Sequence, residues 1–325
     1  MAIAIILSVA VLGVLGLVFG VVLGFAAKIF EVKEDPKIIK VRELLPGANC
    51  GACGFPGCDG MAAAMASGKA PATGCPVASS DAVQKISDVL GVSVQSSEKQ
   101  VAKVLCKGCD SKATKKYEYE GILDCKAAVM IQGGDKSCAQ SCLGYGTCVR
   151  ACAFDAINIV DGVAVIDKEK CTACGKCITE CPKNVIEFVP YDQEIIVECK
   201  NIEFGKIVKD YCKVGCIGCK ICEKNCPFDA IHVENNIARI DYSKCKQCLV
   251  CTVKCPTRAI SGDINKRVKA YIDEEKCVGC GVCKKKCSVG AIEGELRLKH
   301  RVVEEKCVGC RECAPKCPKD AIKII

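Results

Sequence analysis

The sequence predicts an α+β chain in which one long apolar helix precedes a small cysteine-rich domain and three tandem copies of a small repeated unit. Three observations support this fold class. Residues 2–27 carry no charge, 33 of the 325 residues are cysteine, and one cysteine spacing recurs from residue 171 to the end of the chain. With only two histidines, this composition indicates sites built from cysteine thiolates.

The first element is the uncharged run of residues 2–27. At 1.5 Å per residue it makes a helix of roughly 39 Å, which spans a bilayer with some tilt. A cleaved signal peptide is the alternative, but no basic segment precedes the run, which is also longer than the apolar part of such a signal. Five basic residues follow it: Lys28, Lys33, Lys37, Lys40 and Arg42. We therefore expect a single-pass anchor in the cell membrane, with the bulk of the chain in the reducing cytoplasm.

A motif C-x2-C-x2-C-x3-C occurs five times, as in "CTACGKCITECP" at residue 171 and "CVGCRECAPKCP" at residue 307, and a looser sixth copy begins at residue 138. This is the run of bacterial ferredoxins, in which three cysteines hold one 4Fe-4S cluster and the fourth reaches the other. Zinc sites usually separate two C-x2-C pairs by a longer loop, so a zinc-dependent scaffold is the weaker interpretation. An odd total of cysteines also disfavours a disulfide framework.

The gaps between the motifs predict how they pair. The gaps after Cys152, Cys226 and Cys287 are short and the other two are longer, which indicates three two-cluster units. The predicted ligand sets are Cys138, Cys142, Cys148 with Cys181; Cys171, Cys174, Cys177 with Cys152; Cys216, Cys219, Cys222 with Cys255; Cys245, Cys248, Cys251 with Cys226; Cys277, Cys280, Cys283 with Cys317; and Cys307, Cys310, Cys313 with Cys287.

Short alternating stretches lie between the motifs. "INIVDGVAVID" and "IHVENNIARID" predict hairpins that turn at Asp161-Gly162 and Asn235-Asn236. "KAYID" and the terminal "AIKII" predict the outer strand pair of the third unit. Ahead of the repeats, "SSDAVQKISDVLG" predicts a capped helix opened by Ser80 or Asp81 and closed by Gly91.

A separate site is predicted near the proposed anchor. "PGANCGACGFPGCDG" holds Cys50, Cys53 and Cys58, and Cys75 follows a helix of small residues, so that C-x2-C-x4-C-x16-C completes four ligands. A 4Fe-4S cluster is favoured here over a structural zinc, and the neighbouring glycines let backbone amides approach its sulfides. Together with the six repeats, this predicts seven 4Fe-4S clusters.

Five cysteines remain unassigned: Cys106, Cys109, Cys125, Cys199 and Cys212. One interpretation is an eighth cluster on Cys106, Cys109 and Cys125, with a fourth ligand from Cys199 or Cys212. The other, which the sequence favours, is free thiols that pack as small apolar residues.

The formal net charge of +8 does not indicate a nucleic-acid partner. A 4Fe-4S core on four thiolates carries roughly −2, so that seven of them would change +8 to about −6. The lysine runs are then solvated faces or docking points for an acidic redox partner.

The sequence strongly resembles the B subunit of the Rnf complex, an ion-translocating ferredoxin:NAD oxidoreductase of bacterial membranes. The apolar span, "PGANCGACGFPGCDGMAAAMASGKAPATGCPV", "SCLGYGTCVRACAFDAI" and the later motifs carry the resemblance over nearly the whole chain. The chain is similar to a long form, because shorter members have one ferredoxin unit and this chain has three.

The resemblance implies an electron-carrying subunit. It would take electrons from soluble reduced ferredoxin and pass them to the integral membrane subunits and to the NADH- and flavin-binding subunit, with Na+ or H+ translocated by those partners. The chain has no G-x-G-x-x-G after a strand and no flavin attachment motif, so no complete active site is expected in it alone. A membrane-tethered polyferredoxin that serves a hydrogenase or another dehydrogenase is the alternative.

The expected domains follow from these elements. They are an anchor (1–28), an N-terminal 4Fe-4S domain (29–90), a linker with extra cysteines (91–134) and three ferredoxin-like units (135–192, 193–265 and 266–325).

Overall fold

The computed structural model describes residues 2–29, 35–93 and 99–325. Its helices are α1 (Ala2–Ile29), α2 (Pro36–Leu44), α3 (Gly57–Ala66), α4 (Ser80–Leu90), α5 (Cys125–Val129), α6 (Thr147–Ala151), α7 (Lys176–Glu180), α8 (Gly205–Tyr211), α9 (Ile221–Lys224), α10 (Val250–Lys254) and α11 (Val282–Lys286). Its strands are β1 (Gln100–Val104), β2 (Ile157–Val160), β3 (Val163–Ile166), β4 (Ile186–Pro190), β5 (Ile231–Glu234), β6 (Ile237–Ile240), β7 (Ala270–Ile272), β8 (Ile292–Glu293), β9 (Arg301–Val302) and β10 (Ile322–Ile324). Short 3-10 turns cover Ile264–Lys266 and Ala314–Lys316. The chain divides into two compact units, Met1–Gln95 and Ser96–Ile325.

Helix α1 covers the predicted anchor. Its side chains are described for residues 12–26 and for Lys28, and the apolar ones among them are exposed, including Leu12, Phe19 and Phe25. Over the residues that the structure describes, no helix is long and apolar enough to cross a membrane. Lys33, one of the basic residues used to orient the anchor, lies outside the described residues.

The rest of the first unit is a small helical domain. Helices α2, α3 and α4 surround a core that contains Val41, Met61 and Ile86, none of which is more than 1% exposed. The predicted helix at residues 80–91 is confirmed, and Gly91 ends it in a left-handed conformation with φ 73°. Its N-cap is Ser79 rather than Ser80 or Asp81, because the Ser79 hydroxyl accepts the Ala82 N–H at 3.2 Å.

The hairpins of the second unit are confirmed. Strands β2 and β3 pair antiparallel, and β5 pairs with β6 in the same way. At both turns the two central residues have positive φ, 46° at Asp161 and 69° at Gly162, 48° at Asn235 and 62° at Asn236. This is the geometry that a two-residue hairpin requires and that Asn, Asp and Gly tolerate. The third ferredoxin-like repeat has its own hairpin, β8 with β9.

Each repeat also has an outer strand pair. The predicted pair of the third repeat is confirmed as β7 and β10. In the middle repeat the same position is held by a single antiparallel bridge between Val197 and Ile260. In the first repeat it is β1 with β4, so residues expected to be linker supply a strand of the first ferredoxin-like unit.

Glycines let each cysteine loop approach its neighbour. A Cβ built on Gly309, at φ 69°, would lie 2.1 Å from the carbonyl oxygen of Val268, whereas one built on Gly290, at φ 61°, would meet nothing within 4 Å. The first glycine is therefore needed for space as well as for backbone conformation, and the second for conformation alone.

This pair predicts two different effects on stability. We expect Gly309→Ala to lower the free energy of unfolding by about 3 kcal/mol and Gly290→Ala by about 1 kcal/mol. Anaerobic denaturation of the intact protein, followed by circular dichroism, measures both. Equal denaturation midpoints would show that the close approach at Gly309 contributes nothing to stability.

Candidate metal centres

Three of the predicted ligand sets each line one cavity. The three sets are Cys152, Cys171, Cys174 and Cys177; Cys226, Cys245, Cys248 and Cys251; and Cys287, Cys307, Cys310 and Cys313. In each set one cysteine comes from the preceding motif, as the ferredoxin pattern requires. The rest of each wall is largely apolar, from residues such as Ile231 and Ile292.

In two further predicted ligand sets, several of the cysteines also lie close to one another. Burial raises the pKa of the Cys222 thiol to about 11, and the nearby thiolates of Cys216, Cys219 and Cys255 add to the rise. Cys283 lies beside Cys277 and Cys280, and burial likewise raises its pKa. Cys317 packs in the same apolar cluster as Cys277 and Cys283.

The N-terminal cysteines also converge. Cys53, Cys58 and Cys75 belong to the core cluster of the first unit, and Cys50 is half-buried in the loop that leads to Cys53. Burial raises the pKa of Cys75, with contributions from Cys53 and Cys58. The Cys58 N–H donates to Asn49 Oδ1 at 2.8 Å, which anchors the start of α3 under the loop.

One predicted set is assembled differently. The cavity that contains Cys142, Cys148 and Cys181 has Cys125 as its fourth cysteine. Burial raises the pKa of Cys148 to about 12, and the first neighbouring thiolate that adds to it is Cys125. The predicted partner, Cys138, lies instead in an adjacent cavity with Cys106, Cys199 and Cys212.

The local backbone conformation explains how the motif brings its first three cysteines together. The residue after the second cysteine is left-handed in every copy from residue 171 onward, with φ 80° at Gly175, 60° at Lys220, 61° at Leu249, 73° at Gly281 and 63° at Arg311. In four of these copies a short helix then starts, and the third cysteine is its second residue, as with Cys177 in α7 and Cys283 in α11. This reversal turns three closely spaced thiols toward one point.

A second repeated feature positions the fourth cysteine. In three copies the backbone N–H four residues later donates to its sulfur: Ala230 to Cys226 at 3.3 Å, Ala291 to Cys287 at 3.2 Å and Ala321 to Cys317 at 3.3 Å. The isoleucine that follows each alanine is buried. The Ala-Ile step that follows each of these cysteines therefore has a role at the site, since N–H···S bonds stabilise thiolate ligands.

The donor set fits an iron–sulfur cluster. Burial raises the pKa of Cys142, Cys148, Cys177 and Cys251 to about 12, so a bare thiolate is unfavourable at these positions. A metal cluster supplies the positive charge that such thiolates need. Within the described ranges, no three Cys, His, Asp or Glu side chains are close enough to hold a single metal ion. A 4Fe-4S core spaces its four ligands more widely, because each thiolate binds a different iron.

Family models match much of the same sequence. Residues 45–77 match the model described as "Putative Fe-S cluster". Residues 164–187 and 215–232 match the 4Fe-4S binding domain, and residues 244–291 and 270–324 match two 4Fe-4S dicluster domains. These matches support 4Fe-4S clusters in the second unit and an iron–sulfur cluster in the first.

Three proteins are similar to this chain over about four fifths of its length. The chain is 48% identical over 262 residues, 80% of its length, to the B subunit of the Na(+)-translocating ferredoxin:NAD(+) oxidoreductase complex of Acetobacterium woodii, and covers 79% of that protein. It is 44% identical to the B subunit of the ion-translocating oxidoreductase complex of Methanosarcina acetivorans, over 78% of this chain and 96% of that one. It is 40% identical to the B subunit of the proton-translocating ferredoxin:NAD(+) oxidoreductase complex of Clostridium ljungdahlii, over 80% and 93%.

Proposed function

Because the chain belongs to the family of B subunits of the ion-translocating ferredoxin:NAD oxidoreductase (Rnf) complexes, we propose that it carries electrons from reduced ferredoxin toward the membrane partners of such a complex. The observation that supports this most is the repetition of four-cysteine cavities along residues 96–325. A succession of such sites provides a conduit for electrons, not a place to bind a substrate.

We propose seven 4Fe-4S clusters on this chain. Six lie in the ferredoxin-like units and one on Cys50, Cys53, Cys58 and Cys75. At the site of Cys142, Cys148 and Cys181, the proposed fourth ligand is Cys125, which lines that cavity. Each bound cluster takes up and releases one electron. The residues around it exclude water and donate N–H···S bonds, as Ala230 and Ala291 do.

The N-terminal segment is proposed to be a single-pass membrane anchor with the remaining chain on the cytoplasmic side. Residues 2–27 carry no charge, basic residues follow them, and the described apolar side chains of α1 are exposed. Uncovered apolar side chains on a helix favour lipid or the apolar surface of a partner subunit.

The sequence motifs indicate which steps this chain carries out and which belong to other subunits. The sequence has no nucleotide-binding fingerprint, and the uncharged run offers no ionisable group to carry an ion. Reduction of NAD and ion translocation are therefore proposed for the other subunits of the complex, with soluble ferredoxin as the electron donor.

Membrane vesicles test this proposal. We expect a strain that lacks this gene to lose ferredoxin-dependent NAD reduction, and a plasmid copy to restore it, because this chain is the proposed conduit between ferredoxin and the membrane partners. The measurement is NADH formed after addition of reduced ferredoxin, with and without Na+. Unchanged activity in the deletion strain would reject the assignment and leave a polyferredoxin that serves another dehydrogenase.

A further inference from the structure

Two insertions distinguish the first and middle repeats from the third. In the third repeat only a short turn separates β7 from Cys277, whereas residues 105–137 separate β1 from Cys138 and residues 198–215 separate Val197 from Cys216. The insertions contact each other through their backbones. Thr114 N–H donates to the Tyr211 carbonyl at 2.8 Å, and Lys213 N–H donates to the Lys112 carbonyl at 2.9 Å.

A four-cysteine cavity lies where the insertions meet. It is lined by Cys106, Cys138, Cys199 and Cys212, with Gly108 and Asn201 among its other walls. Its empty space, about 370 Å³ including the open mouth, is as large as that of the four cavities lined by the ferredoxin-type cysteines, about 320 to 360 Å³. This cavity is therefore about as large as the four cavities lined by ferredoxin-type cysteines.

Two of the four sulfur atoms approach the same glycine, and the other two accept hydrogen bonds. A Cβ built on Gly108 would lie 3.4 Å from Cys212 Sγ and 3.8 Å from Cys106 Sγ, so both sulfurs approach the same bare stretch of backbone. The buried Asn201 side chain donates from Nδ2 to Cys138 Sγ at 3.0 Å. Cys199 Sγ accepts the Cys216 N–H at 3.3 Å, the same kind of bond that the ferredoxin-type cysteines accept.

A buried cation stands beside the cavity. The Lys136 side chain is fully buried, and its Nζ donates to the carbonyls of Gly108 at 3.0 Å and Gly162 at 2.8 Å. A buried ammonium is costly unless negative charge lies close to it, and the Asp110 carboxylate lies 3.4 Å from Lys136 Nζ. Lys136 therefore places a buried positive charge next to the Gly108 backbone, which lines the cavity.

The two remaining unassigned cysteines, Cys109 and Cys125, do not line this cavity. Cys125 opens α5, where its N–H donates to Thr147 Oγ1 at 2.7 Å, and it lines the cavity of Cys142 and Cys148. Cys109 Sγ lies 3.3 Å from the Ser111 hydroxyl and does not line the cavity of Cys106. Cys109 is therefore the one cysteine of the two insertions that stands apart from both cavities.

We infer that Cys106, Cys138, Cys199 and Cys212 hold an eighth 4Fe-4S cluster, and that Cys125 takes the ligand position which the spacing had predicted for Cys138. This inference rests on the proposed electron-carrying function. The eighth site lies between two others, because Cys106 packs in the same core cluster as Cys142 and Cys199 accepts a hydrogen bond from the Cys216 N–H. The cluster would gain and lose one electron with its four thiolate bonds intact, and so join the first repeat to the middle one.

Iron and sulfide content of the anaerobically purified full-length chain provides the test. Eight clusters predict about 32 iron and 32 sulfide per chain, whereas seven predict about 28 of each. We expect Cys106→Ala, Cys138→Ala and the double variant each to lose about four iron. The loss is the same in all three because both cysteines hold the same cluster, whose iron can be lost only once. The matched control Cys109→Ala should keep the full content.

Three results would overturn the inference. They are a wild-type content of about 28 iron, a double variant that loses about twice the iron of either single variant, and Cys199→Ala or Cys212→Ala with unchanged iron. An alanine variant could lose iron from all the clusters. In that case the iron content is measured instead in Cys199→Ser and Cys212→Ser, with Cys109→Ser as the control, and is interpreted in the same way. Zinc with negligible sulfide in the wild-type chain would instead reject the proposed function itself.

Discussion

Replacing Cys75 with alanine is expected to abolish ferredoxin-driven NAD reduction in membrane vesicles while most of the iron stays in the chain. Cys75 is the proposed fourth ligand of the N-terminal site, and with alanine there only the thiols of Cys50, Cys53 and Cys58 remain. We expect about four iron to be lost per chain. If the proposed anchor holds this site at the membrane, electrons from the ferredoxin-like units must pass through it, so the rate should fall to that of the deletion strain.

Asp59→Asn provides the control for that experiment. Asp59 neighbours Cys58 on α3 and pairs with Arg42 at 2.6 Å, yet it is exposed and offers no thiolate. An exposed ion pair contributes less than about 1 kcal/mol, so this variant should keep its iron and nearly all of its activity. Normal rates in Cys75→Ala vesicles that have lost the iron would place the N-terminal site off the electron route.

Removal of iron and sulfide is expected to unfold residues 99–325. The ferredoxin-like units have little other core. In the third one the buried cluster consists of Ala270, Ile272, Ala291, Ile292, Ile322 and three of the cysteines, Cys283, Cys307 and Cys313. A domain of this size rarely gains more than about 3 to 5 kcal/mol from its apolar core. Because the cysteines are part of that core, loss of the cluster removes its centre, as in small metal-dependent domains.

Treatment with an oxidant and a chelator removes the clusters, and chelator alone provides the control. Circular dichroism and limited proteolysis measure the result. We expect the treated chain to lose its strand signal and to be cut throughout residues 99–325, whereas the control stays resistant. A treated chain that keeps its protease resistance and its cooperative denaturation would show that hydrophobic packing alone maintains the fold.

Much of the candidate site was predictable because ligation within a motif is local. Three cysteines within seven residues, such as Cys171, Cys174 and Cys177, meet wherever the loop between them can turn. The hairpin at Asp161-Gly162 is predictable for a similar reason, since two residues tolerant of positive φ set its turn. Even the partner cysteine from the adjacent motif follows from spacing, as Cys152 and Cys226 show.

What the spacing did not reveal comes from long-range contacts. Strand β1 was expected to be linker, because its five residues have no neighbouring partner in sequence and pair with β4 more than eighty residues later. The Ala-Ile step can be read from the sequence, but its N–H···S bonds to Cys226 and Cys287 depend on a backbone direction that no residue pattern specifies. For an eighth cluster the sequence offered Cys106, Cys109 and Cys125 with either Cys199 or Cys212. The additional cavity is lined by Cys106 and by both Cys199 and Cys212, but not by Cys109 or Cys125.

The sequence by itself determined that this chain is an array of thiolate sites, that the array consists of ferredoxin-like repeats, and that a separate four-cysteine site precedes them. Only the tertiary structure decided that Cys125 and Cys138 belong to different cavities and that Cys199 and Cys212 join Cys106. The physical reason is that the ligands of a motif are placed by a few backbone torsions. The ligands of the additional cavity are placed by two insertions about one hundred residues apart, whose contact exists only once both repeats have folded.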